Sequence, residues 1–102
     1  MKLVYTQQAR DDLRETYDYI ADVLQNPTAA KSVIESIVLT CGKLEQHPNL
    51  GYSLQSKTGR ESDYRCLVCG THIAFYRVLE TEVRIVRILN GRMDYMRILF
   101  EN

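Results

Sequence analysis

Three strand-like runs follow one another with almost no chain between them: DYRCLVC (63–69), THIAFYRVL (71–79) and EVRIVRILN (82–90). Each is rich in β-branched and aromatic residues, the types that suit a pleated, half-buried surface. The connections at Gly70-Thr71 and Glu80-Thr81 are far too short for a crossover. Each run must therefore pair antiparallel with the next, as a hairpin. In the third run, simple alternation sets Val83, Ile85 and Leu89 on one face and Val86 and Ile88 on the other. Apolar residues on both faces call for an interior strand.

Such a sheet needs a cover, and the N-terminal half supplies one. Residues 2–6, KLVYT, alternate like a first or edge strand. Thr6 is placed to cap a helix in which Ala9, Leu13, Tyr17, Ile20 and Leu24 form one apolar stripe. Asp11, Asp12 and Glu15 lie toward its N-terminus, where the helix dipole favours acids. Asn26-Pro27 ends it. Thr28 is placed to cap a second helix with the stripe Ala30, Val33, Ile34, Ile37, Cys41 and Leu44, stopped by His47-Pro48. Two helices joined this closely form an antiparallel hairpin. Residues 49–62, NLGYSLQSKTGRES, read as a loop punctuated by Gly51 and Gly59. Met93, Met96, Leu99 and Phe100 fit a short C-terminal helix or tail.

The order β-α-α-β-β-β predicts an α+β fold: an N-terminal strand and a helical hairpin packed on a mostly antiparallel four-stranded sheet. The 102 residues suit a single domain, 1–102. The second face of the sheet is expected to be partly open, polar and able to receive a partner. No apolar run approaches the ~20 residues that span a bilayer. The N-terminus, MKLVYTQQARDDL, lacks the apolar core of a signal peptide. Together these predict a cytoplasmic protein without a membrane partner.

Three cysteines, Cys41, Cys66 and Cys69, follow no disulfide-framework spacing and read as reduced, packed thiols. Cys66 and Cys69 match C-x-x-C, but on a strand positions i and i+3 face opposite ways and clasp a metal poorly. No metal or other cofactor is expected. Net charge is zero but uneven: residues 1–51 hold five Lys/Arg against seven Asp/Glu, and residues 52–102 hold eight against six. Every basic residue after Lys57 is arginine, a side chain suited to phosphates and carboxylates. The balance is far from that of a dedicated nucleic-acid binder.

The polar groups concentrate in Arg87-Ile88-Leu89-Asn90-Gly91-Arg92-Met93-Asp94-Tyr95. Bland roles are available for all of them. Arg65 and Arg77 suit sheet-surface pairs with Glu61, Asp63 or Glu80. Tyr95 can pack its ring on the sheet, Arg92 and Asp94 can cap a turn, and His72 suits a solvated hairpin turn.

Several phrases, in order and over nearly the whole chain, resemble the ParE/RelE superfamily of bacterial toxins. They begin at Val4-Tyr5-Thr6, with Ala9 and Leu13, and continue through Tyr19-Ile20, Leu44, Pro48 and Gly51. The densest are Tyr64-Arg65, His72-Ile73-Ala74-Phe75-Tyr76-Arg77-Val78 and the stretch from Val83 to Asp94. The resemblance implies the toxin half of a type II toxin–antitoxin pair, associated with growth inhibition and plasmid stabilisation. It also implies a cognate antitoxin, hence a hetero-oligomer. An antitoxin of this family lays a helix and an extended segment across the toxin.

Two branches of the superfamily differ in activity. RelE-like toxins cleave messenger RNA on the ribosome, a reaction that needs a base, cations for the phosphorane and an acid. Aligned on Phe75-Tyr76, the position where such nucleases carry an arginine falls near Ile73, and the lysines of the preceding strand are missing. Arg65, Arg92 and Tyr95 remain as catalytic candidates under that alternative. ParE-like toxins bind DNA gyrase and poison it without catalytic residues of their own. Tyr76-Arg77-Val78 and Ile88 to Asp94 resemble this branch more closely, although Asn90 stands where a histidine is common. On the favoured ParE-like reading no residue is catalytic, and Arg65, Arg77, Arg92, Asp94 and Tyr95 are the target-binding candidates, with the rings of Tyr64 and Tyr76 as possible anchors. A third possibility is an inactive homologue that binds only its antitoxin.

Overall fold

The computed structural model describes residues 1–101. Strand β1 (Lys2–Tyr5) leads into helix α1 (Gln7–Asp18), which continues as a π-helical turn, Tyr19–Val23. Helix α2 (Pro27–Gly42) runs back and ends in a 3-10 turn, Lys43–Glu45. A short strand β2 (Tyr52–Ser53) and a five-residue helix α3 (Leu54–Thr58) precede strands β3 (Arg65–Cys69), β4 (His72–Val78) and β5 (Glu82–Asn90). Helix α4 (Tyr95–Phe100) ends the described chain.

The sheet order is β1-β5-β4-β3-β2. The meander β3–β4–β5 is antiparallel throughout, and β1 pairs parallel with β5, which is therefore interior. A fifth strand joins the four expected ones. The stretch read as a loop forms β2 on the edge of β3, followed by α3, which Ser53 caps through the Ser56 N–H. Leu54, fully buried, gives that short helix its tertiary anchor. Asn26, not Thr28, caps α2, because Pro27 takes the first helical position, where its missing N–H costs nothing.

Helices α1 and α2 bury Ala9, Ile37, Cys41 and, just beyond, Leu44 against Leu67, Ala74, Tyr76, Val83, Ile85 and Ile88. The opposite face is not partly open and polar, as expected for it. It carries a second apolar cluster of Leu54, Cys66, Ile73, Phe75 and Leu89, covered by Tyr95, Met96, Ile98, Leu99 and Phe100 of α4 and by Tyr52 and Tyr64. Cys66 and Cys69 lie in opposite clusters, as strand geometry requires.

The alternation of β5 slips at one point. Phe75 pairs with Arg87, but Tyr76 pairs with Ile85, so Val86 is an extra residue in the ladder. This β-bulge reverses the parity beyond it. Ile88 joins Val83 and Ile85 beneath the helices, and Leu89 joins Val86 beneath α4. The disturbed backbone finds side-chain partners. The Thr6 hydroxyl donates to the Val86 carbonyl at 3.0 Å, and the Ile88 N–H donates to Asp12 Oδ2 at 2.9 Å. Arg87 closes on the same carboxylate with two bonds of 2.9 and 3.0 Å, and this ion pair holds its guanidinium pKa above the ordinary value. Asp12 is thus a buried tie between α1 and the bulge rather than a solvated dipole partner.

Candidate functional site

The turn from β5 into α4 displays two exposed charged side chains, Arg92 and Asp94. The Gly91 N–H donates to the Thr71 carbonyl at 2.9 Å, tying the turn to the β3–β4 hairpin. Asn90 Oδ1 accepts from the Arg92 N–H at 2.9 Å, and Met93 N–H bonds back to the Asn90 carbonyl. Asp94 caps α4 by accepting from the Arg97 N–H at 3.4 Å. Arg92, Met93 and Asp94 are left facing solvent. Arg92 forms no ion pair among the described residues, so its guanidinium is free to meet a partner.

Helix α4 is pinned at both ends by aromatic contacts. The Tyr95 ring lies 5.1 Å from Phe75, and the Phe100 ring lies 5.8 Å from Tyr64, with the Arg60 guanidinium 4.3 Å over it. Such pinning matters because six residues are too few to be helical without tertiary support. Lys57 lies close by, its Nζ 3.4 Å from the Tyr52 hydroxyl and 4.9 Å above that ring. Burial raises the Tyr52 pKa, and the bond from Lys57 partly offsets it. Lys57 sits on α3, in the stretch read as loop, so nothing in the sequence pattern pointed to it.

The five target-binding candidates do not form one cluster. Arg77 pairs bidentately with Asp63 at 2.8–3.0 Å, and this bond lowers the Asp63 pKa. Arg77 stands opposite Arg84, roughly 20 Å along β5 from Asn90 at strand rise. Arg65 donates to the backbone carbonyls of Asn49 and Gly51. It holds the segment before β2 against β3, beside Tyr76, whose hydroxyl accepts from the Gly51 N–H at 3.0 Å. Tyr76 is fully buried and offers no surface anchor. Only Arg92, Asp94 and Tyr95 share a location.

His72 is not a solvated turn residue. It is buried as the first residue of β4, its Nδ1 is 3.2 Å from the Thr71 hydroxyl, and burial lowers its pKa. Ile73, at the position where a nuclease arginine was sought, sits inside the apolar cluster beneath α4. Among the described residues no group of three His, Cys, Asp or Glu side chains could hold a metal ion. No helix among the described residues is long and apolar enough to cross a membrane.

On the other side of the molecule β1 forms a sheet edge, open along one side. A groove of about 500 Å³ runs beside it, lined by Leu3, Tyr5, Arg10, Leu13 and Val38. An unpaired edge next to an apolar groove can accept an added strand.

A helical hairpin on one face of a five-stranded sheet, with a short helix strapped over the other, is the fold of small type II toxins of the ParE/RelE kind. The model of the ParE toxins of type II toxin–antitoxin systems matches residues 3–95, and the chain belongs to that family. The chromosomal ParDE system of P. aeruginosa contains a similar chain, 30% identical, with a TM-score of 0.75 over 88% of this chain and 95% of that one. A chain of the toxin–antitoxin complex RelBE2 from Mycobacterium tuberculosis is 25% identical, with a TM-score of 0.59 over 87% and 95%. The YoeB/ParE toxin from Agrobacterium tumefaciens, 18% identical, shares the fold with a TM-score of 0.60 over 89% and 99%. A search of curated protein sequences finds no match.

Proposed function

We propose that this type II toxin acts by docking on DNA gyrase, and that a cognate antitoxin neutralises it. One observation carries the choice of docking over RNA cleavage. The sheet face on which a nuclease needs cations is filled by Ile73, Phe75 and Leu89 and roofed by α4. Apolar side chains stabilise no phosphorane. The nearby histidine, His72, is buried, and that burial lowers its pKa.

Arg92, Asp94 and Tyr95 are the proposed centre of the target surface: a free guanidinium, an exposed carboxylate and a half-buried ring on one rigid turn. Arg65 and Arg77 stay in the proposal as flanking contacts, with Arg77 offering its outer edge beyond Asp63. The antitoxin is assigned to the β1 edge and its groove, which leaves the Arg92 turn for the target. Both the ParDE and RelBE2 systems named above are toxin–antitoxin pairs, which supports the partner class.

The test is gyrase supercoiling with purified toxin, with antitoxin as the control. Loss of supercoiling together with linear DNA after denaturation supports poisoning. Untouched gyrase sinks the proposal. One observation favours a second outcome in that event. Lys57 adds a cation beside Tyr52, near Tyr95, and ribosome-dependent cleavage of messenger RNA would then be assayed with Lys57, Arg65, Arg92 and Tyr95 as the candidates.

A further inference from the structure

The loop end of the helical hairpin turns its apolar residues outward. Tyr19 and Val23 of the π-helical turn, and Leu24 after it, are 55%, 66% and 56% exposed. Scattered exposed apolar side chains are ordinary, but adjoining ones mark a contact surface. Tyr19 and Val23 share their face with Glu15, Asp18 and Asp22, at the i, i+3, i+4, i+7, i+8 spacing that normally turns a stripe toward a core. Here every member of the stripe faces solvent. The carboxylates enter no ion pair among the described residues, and no Lys or Arg lies between Arg14 and Lys31. The tip is also held in shape. The Leu24 N–H donates to the Tyr19 carbonyl at 3.1 Å and the Asn26 N–H to the Ile20 carbonyl at 3.0 Å. Between them Gln25 takes the left-handed region, with φ of 51°. A residue other than glycine is uncommon there, and the surrounding bonds sustain its cost.

Bonds along β5 fix where this tip points. Thr6 bonds to Ile85 and Val86, and Asp12 to Ile88, so α1 advances toward the Asn90 end of that strand. From Asp12 to Leu24 the helix adds about 18 Å, whereas Asn90 lies only about 7 Å beyond Ile88. The tip therefore overhangs the end of the sheet from which the Arg92 turn departs, with α1 on one face and α4 on the other.

We propose that the tip is a second docking element for the target: an acid-rimmed apolar knob that seats on a Lys/Arg-rich patch of gyrase beside its DNA path. The inference rests on the gyrase reading above, and extends the target surface from the Arg92 turn across the same end of the molecule. Charge selects the occupant. An enzyme that holds duplex DNA neutralises phosphates with Lys and Arg. A knob carrying Glu15, Asp18 and Asp22 and no cation complements such a surface. Tyr19 and Val23 at its centre supply the apolar contact that an interface core needs. The groove assigned to the antitoxin has the opposite character. Lys2 and Arg10 rim it, both exposed and without an ion pair among the described residues, and call for an acidic segment.

The test measures binding of the purified chain to immobilised gyrase by interferometry at two salt concentrations, with antitoxin pull-down, solution mass and melting temperature alongside. Two variants are compared with the wild type: Tyr19→Ala with Val23→Ala, and Glu15→Gln with Asp18→Asn and Asp22→Asn. Each should bind gyrase about tenfold more weakly or worse. Only the charge variant should also show a flatter salt dependence. Antitoxin capture and melting temperature should stay at wild-type values. If the wild type binds gyrase and both variants match it, the tip leaves the target surface and the gyrase reading stands. A wild-type chain that ignores gyrase overturns both. Loss of antitoxin capture with gyrase binding intact gives the tip to the antitoxin, and a wild-type dimer that the variants dissolve gives it to a second copy; either result overturns the proposal. Should the apolar variant fail to fold, the charge variant decides, because it removes no buried contact.

Discussion

Replacing Asp12 with alanine tests the central structural inference, that this carboxylate holds the β5 bulge to α1. Its side chain is 7% exposed and accepts three hydrogen bonds, two from Arg87 and one from the Ile88 N–H. Removing it strands a buried backbone donor, which costs about 1–3 kcal/mol. It also leaves Arg87 unpaired. A fully buried orphan charge costs about 3–5 kcal/mol, but the Arg87 side chain is 23% exposed and can turn partly to water, so that range is an upper limit. Together these give a loss of about 3 kcal/mol. Asp11→Ala is the control, because Asp11 sits one position earlier on the same helix, feels the same dipole, and makes only exposed contacts, an ion pair with Arg14 and a hydrogen bond from Gln7. Its loss should be at most about 0.5 kcal/mol. In urea, with a slope near 1.5 kcal/mol/M, Asp12→Ala should move the midpoint by about 2 M, and Asp11→Ala by a few tenths. Circular dichroism reads both. Equal losses in the two variants would refute the tie, and so would a double variant with Arg87→Ala whose effects simply add.

Three other outcomes are expected. Gly51→Ala should destabilise by about 3 kcal/mol or prevent folding, read as soluble yield and melting temperature, because a Cβ there would run into the backbone of Cys66 and the Tyr76 hydroxyl. Stability should fall as pH drops from 7.5 to 5.5. Burial lowers the folded pKa of His72, so the unfolded chain binds the proton first, and stability is lost as pH falls through the ordinary histidine value near 6.5 toward the lower folded one. His72→Gln should flatten that slope, and His47→Gln, at an exposed position, should not. Arg92→Ala should leave the melting temperature unchanged, and with Tyr95→Ala it should relieve growth arrest while antitoxin still binds in a pull-down. Retained toxicity in the double variant would remove the Arg92 turn from the target surface.

The sequence by itself determined the meander, because two-residue connections leave antiparallel pairing as the only solution. It also determined the hairpin, since the α2 stripe from Ala30 to Leu44 has one periodicity and fits one face. The ParE/RelE resemblance was legible for the same reason: those phrases are core strands and the turns between them. Only the tertiary structure decided what alternation and local pattern do not carry. A single extra residue at Val86 reversed the facing of Ile88 and Leu89, and no local signal marks a bulge whose partners, Thr6 and Asp12, lie some eighty residues away in the chain. The residues 52–58 became strand and helix because β3 offered an edge and the second cluster offered Leu54 a place. The arginines parted for the same reason. Arg65 turned to backbone carbonyls and Arg77 to Asp63, while Arg92 found no ion-pair partner among the described residues, because which cation finds a partner depends on what the folded chain brings within about 4 Å.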